Sequence, residues 1–182
     1  MRRWLVLFAV GIVAAILAVA ALSPASDSYP LQTNTGASQW NPAPLGATTQ
    51  AVVLYLEPRP GDRIELLSAE TIGLPPAVRP TLFLSRAVIE ADGTRVIGEA
   101  REPIAGAVIE APAGAPPGPE HTVGIVAEMT PTQAGTYQLT GIRLRFRTNG
   151  GFEQVREGIS TTWTVCAADP APDCEPPDET DP

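Results

Sequence analysis

Two cysteines, one histidine and a row of three arginines are the residues of this 182-residue chain whose types and spacing suit chemistry. Cys166 and Cys174 are its only cysteines, spaced C-AADPAPD-C. In an oxidising compartment an even count reads as a disulfide, which would pin the start of the tail back to the preceding domain. The competing chemistry is a metal site, but tetrahedral zinc needs more ligands and no histidine accompanies the pair. Arg143, Arg145 and Arg147 alternate with apolar residues, so in an extended strand they share one face. Guanidinium forks in a row suit an anionic partner, such as a carboxylated or phosphorylated envelope polymer. They equally suit a solvated sheet face carrying cross-strand Arg to Glu pairs.

His121 is the sole histidine, beside Glu120 at the start of a predicted strand, with Met129 at the strand's other end. A single histidine makes any nucleophilic or metal chemistry depend on one position. Ser85 and Ser160 fall inside predicted strands without a Gly-x-Ser-x-Gly elbow, and no paired-carboxylate motif stands out. No catalytic, cofactor or metal constellation is expected. The segment 167–182 carries Asp169, Asp173, Glu175, Asp178, Glu179 and Asp181 with no basic residue. Carboxylates are calcium ligands, but the D-x-D-x-D-G spacing is missing and prolines interrupt the run, so it reads as an acidic solvating tail.

The elements that must position these residues are short, β-branched and punctuated by Pro and Gly, an all-β pattern. Strands are predicted over 51–56, 63–68, 81–91, 94–99, 106–110, 121–129, 136–148 and 152–165. Residues 121–129 alternate, with Val123, Ile125, Ala127 and Met129 on a face to be buried and Thr122, Gly124, Val126 and Glu128 on the other. The apolar phase shifts between Leu139 and Ile142, which predicts a bulge or bend at Thr140 and Gly141. Asn149, Gly150 and Gly151 supply positive φ angles for a tight hairpin. A three-residue loop there sets Arg147 opposite Glu153 and Arg143 opposite Glu157.

The segment Ala134 to Leu139, AGTYQL, resembles the immunoglobulin-like superfamily, in which a turn and Gly-x-Tyr open the penultimate strand. The resemblance spans about 30 residues, including the hairpin, and implies that Tyr137 is a corner tyrosine whose hydroxyl bonds back to nearby backbone. Leu139 stands where antibody-type domains have their second cysteine, and no partner cysteine or tryptophan appears earlier in the domain. The expectation is therefore the wider class: an immunoglobulin-like β-sandwich of about 7–8 strands, preceded by one N-terminal transmembrane or signal helix. The likeness implies architecture and no particular ligand.

Residues 4–22 form an uncharged apolar run behind Arg2 and Arg3, long enough to span the ~30 Å core of a bilayer. The charges place the amino terminus inside and the rest outside. Two versions stand: a signal anchor over 1–22, or a signal peptide cleaved after Ala20 of the A-x-A at Ala18 to Ala20. Residues 23–49 read as a flexible Pro/Ser/Thr-rich stalk, in which Trp40 is expected to dock on the domain. The domain itself occupies 50–166.

All 12 basic residues are arginine, which suggests a GC-rich bacterial genome. Net charge is −8, but between Gln50 and Cys166 there are 13 acidic and 10 basic residues, so no nucleic-acid footprint is expected. The sequence thus points to an exported, membrane-anchored bacterial envelope protein with a non-enzymatic binding or scaffolding β-sandwich. Its partners would be the membrane through residues 4–22 and an envelope protein or polymer. The alternative is an extracytoplasmic carrier of a small ligand or metal, using His121, Met129 or the sandwich interior.

Overall fold

Strict alternation of apolar and charged residues over GIRLRFRT builds the central strand of this fold, and similar runs build its neighbours. The computed structural model describes residues 38–89, 95–98, 100–114, 121–159, 162–171 and 174. The apolar segment 4–22, residues 23–37 of the predicted stalk, Ser160, Glu120 and most of the acidic tail lie outside the described residues. Eleven strands follow in order: β1 (Ser38–Pro44), β2 (Thr49–Leu56), β3 (Arg63–Ile72), β4 (Thr81–Ile89), β5 (Arg95–Ile97), β6 (Val108–Glu110), β7 (Val123–Met129), β8 (Gly135–Leu139), β9 (Gly141–Thr148), β10 (Glu153–Ile159) and β11 (Thr162–Ala168). They form three sheets, ordered β1-β11-β8, β10-β9-β3-β6 and β2-β7-β4-β5, an all-β arrangement compatible with a β-sandwich.

β9 has the alternation its sequence dictates. Ile142, Leu144 and Phe146 are fully buried, while Arg143 and Arg145 are exposed. Leu139 and Trp163 join them from β8 and β11, and Leu54, Leu84 and Ile125 come from the third sheet. Each such side chain removed from water contributes roughly 1.5–3 kcal/mol, so this apolar layer is the main source of stability.

The predicted bend falls at Thr140, which separates β8 from β9. Its amide donates to the Ile72 carbonyl at 2.8 Å. Gly73 follows with φ of 96°, and a Cβ there would lie 2.5 Å from the Thr140 hydroxyl oxygen. Asn149 and Gly150 have φ of 53° and 70°, and the Gly151 amide donates to the Thr148 carbonyl at 2.9 Å. This is a two-residue primed turn with one extra residue before β10. The resulting register pairs Arg147 with Glu153, as the hairpin reading expected.

Three features differ from the sequence reading. Residues 38–44, assigned to the stalk, form β1, which pairs in parallel with β11 from Ser38↔Thr162 to Pro44↔Ala168. Proline is tolerated because β1 is an edge strand, whose outward N–H groups have no ladder partner to lose. Trp40 lies half-buried within it. The two longest predicted strands are each broken in two, and β11 runs past Cys166 to Ala168, so the tail begins later. Finally, β7 is buried on both faces from Val123 to Ala127. It lies between β2 and β4, and the Arg101 guanidinium lies over the Phe83 ring at 4.7 Å while gripping Glu128, which covers the second face.

Candidate functional site

The arginine row is brought together as predicted, but each guanidinium meets carboxylates. Arg143 donates to Glu157 on β10 at 2.6 Å and to Glu70 on β3 at 3.3 Å. Arg145 contacts Glu153 at 2.5 Å, diagonally across the hairpin, and Arg147 reaches Glu65 on β3 at 3.7 Å. The last pairing differs from expectation: Arg147 stands opposite Glu153 in register, yet its ion pair is on the other neighbouring strand. Hydrogen bonding to Glu157, then that carboxylate's charge, raises the Arg143 pKa further above its ordinary value. Arg63 pairs with Glu110 at 2.7 Å beside the row. The face is a ladder of alternating charge, and an anionic partner would have to displace its internal carboxylates.

A second arrangement was not visible from side-chain motifs. A cleft of about 820 Å³ opens where β3 and β4, from different sheets, run past their partners. Its lining includes Ser68 to Thr71 of β3, Arg79 and Pro80 just before β4, Leu82 within it, and the segment Pro103 to Ala105. Ile104 is buried in the floor, and Arg79 is exposed.

The backbone gives this cleft its chemistry. β6 pairs with β3 only over Arg63 to Glu65, and Leu66 then exchanges bonds with Gly106 and Ala107 at 2.8 Å each. Beyond Leu66 a β-bulge resets the phase. The Ile72 carbonyl accepts from Thr140, so Ile72, Glu70 and Ser68 direct their main-chain groups toward β9. By alternation Ala69 and Thr71 direct theirs into the cleft. Across it, Leu84 exchanges bonds with Glu102, which places the Leu82 amide and carbonyl on the same open side of β4. Among the described residues these groups meet no strand. Arg79 has no ion pair among the described residues, as is true of Arg156 on β10, whereas Arg63, Arg86, Arg101, Arg143, Arg145 and Arg147 all have one.

The remaining predicted residues fall elsewhere. Cys166 and Cys174 form the expected disulfide, with Cα atoms 5.7 Å apart. The Tyr137 hydroxyl donates to the Gln133 carbonyl at 2.8 Å, the contact the resemblance implied. Ser85 is buried, and its hydroxyl donates to the Gly98 carbonyl at 2.6 Å. His121 and Met129 flank opposite ends of β7, separated by a strand of roughly 20 Å, and Met129 is core. The structure does not join them into one site. Among the described residues no group of three or more His, Cys, Asp or Glu is placed to hold a metal ion. The chain matches no protein-family model and no curated protein.

Proposed function

We propose that this chain is an exported, single-pass membrane-anchored bacterial envelope protein whose β-domain is a non-enzymatic binding or scaffolding module of immunoglobulin-like type. The observation that carries the binding reading is the cleft at β3 and β4, where main-chain groups that meet no strand among the described residues line a hollow of about 820 Å³, within the range of ligand sites. Export is supported by the Cys166 to Cys174 disulfide, a bond that persists in oxidising compartments, and by the apolar run 4–22. The sandwich reading is supported by three β-sheets, two of them adjoining in sequence at Thr140 between β8 and β9, and by the Tyr137 corner contact.

The test is made in the native envelope. Thiol blocking before and after reduction, with intact mass of the membrane fraction, is expected to give a full-length 19.1 kDa chain with both cysteines oxidised. A photoreactive residue replacing Ala105, exposed in the cleft lining, is expected to yield a discrete adduct that one replacing Arg63 does not. Reduced cysteines in a soluble chain, or no adduct from position 105, would overturn the proposal.

A further inference from the structure

We infer that the β3–β4 cleft receives an extended polypeptide segment, added as a strand along β3 at Ala69 and Thr71, with a carboxylate of that segment meeting Arg79. This inference rests on the binding-module reading and gives it a ligand class.

The main chain argues for a peptide. The open groups of Ala69 and Thr71 lie two residues apart along one edge, a repeat of roughly 6.8 Å that an extended polypeptide shares. A strand laid there exchanges N–H and C=O bonds with both residues, the mode of strand addition. Its alternate side chains then enter the space between β3 and Leu82, over the buried Ile104. The β3 edge is the better acceptor of the two, because Pro80, immediately before β4, offers no amide to extend that edge. Proline, a common edge-blocking residue, is absent from residues 67–72 of β3.

Charge selects among peptides. Arg79 is exposed at the mouth of the cleft without an ion pair among the described residues. Glu70, also in the lining, is already engaged by Arg143. The available charge is therefore positive, and its complement is a carboxylate, from an acidic side chain or a chain terminus.

The experiment pans a random twelve-residue phage library against the full-length protein in nanodiscs, after subtraction on empty nanodiscs. Synthetic copies of the recovered peptides are then N-methylated at alternate positions. Methylation in one phase is expected to weaken binding about tenfold or more and in the other phase little, because an N-methyl group in the inward phase removes an edge hydrogen bond and adds a steric clash. Arg79→Glu is expected to weaken binding similarly, and Thr71→Pro to abolish it. Asp→Asn and C-terminally amidated peptides separate the two carboxylate sources. Thr71→Pro is interpreted only if its thermal midpoint is retained; Arg79→Glu, at an exposed position, serves otherwise. Peptides that bind with no methylation phase and ignore both variants would overturn this inference while leaving the binding module standing. Recovery of no peptide would also overturn it, and crosslinking from position 105 in the envelope then decides the wider reading separately.

Discussion

The indole Nε1 of Trp163 donates to Oδ1 of Asn41 at 2.8 Å, joining the last strand of the domain to a segment 122 residues earlier. Trp163 is fully buried, so its N–H has no access to water if this partner is lost.

Asn41→Leu is therefore expected to destabilise the domain by about 1–3 kcal/mol, the cost of stranding a buried donor. Urea unfolding followed by tryptophan fluorescence measures it. Deleting residues 38–44 should cost more, since β1 also covers β11 and buries Ala43. If neither change moves the midpoint, β1 is not part of the cooperative unit.

Gly73→Ala places a methyl 2.5 Å from the Thr140 hydroxyl at a φ of 96°. Both strain and overlap oppose it, and a loss of roughly 1–3 kcal/mol is expected in chemical denaturation. Gly106→Ala provides the comparison, because it shares a positive φ of 83° but meets no atom within 4 Å. The difference between the two isolates the contact at the β8–β9 bend.

Replacing both Cys166 and Cys174 by serine opens a short covalent loop and is expected to lower stability by about 2–3 kcal/mol. Thermal unfolding of the native protein with reductant should approach that of the double variant. Equal midpoints with and without reductant in the native protein would contradict a stabilising bond.

Arg145→Glu sets two carboxylates side by side with Glu153, and the reciprocal Glu153→Arg change should restore the pair. Because both groups are partly exposed, the coupling energy in the double-mutant cycle is expected to be below about 1 kcal/mol and to shrink in high salt.

The pKa of Arg143 is raised by its carboxylate partners. By linkage a raised pKa contributes stability that is complete below the unfolded guanidine range and is lost only as pH climbs through the folded value. The stability difference between the native protein and Arg143→Gln should therefore contain no step from guanidinium titration between about pH 6 and 9. Unfolding curves collected across that interval provide the check.

What the sequence made legible was local. The alternation of Ile142, Leu144 and Phe146 with arginine revealed one buried face, and Asn149 and Gly150 marked the turn that fixed its register. Tyr137 and the cysteine pair were legible because their partners lie within eight residues. β1 was not, since its stabilising contacts come from β11 and its prolines and polar residues look like a linker. The one-faced reading of β7 failed because Arg101 arrives from a separate segment to shelter Phe83 and grip Glu128. The cleft follows from a mismatch in length: β3 has ten residues and its partner β6 three, so beyond Leu66 one edge of β3 meets no strand among the described residues while β9 pairs the other. Segment lengths on either side of the prolines hold that signal, whereas residue types alone do not.

The parallel pairing of β1 with β11 also fixes how the domain bears mechanical load. Ser38 begins one strand and Ala168 ends the other, at opposite ends of the same ladder. Tension applied between Ser38 and the Cys166–Cys174 bond, which returns the chain to β11, acts along both strands, so their cross-strand bonds are strained together in shear instead of opening one after another like a zip. A domain entered and left in this way resists pulling along that axis most strongly at the very strands where the force is applied.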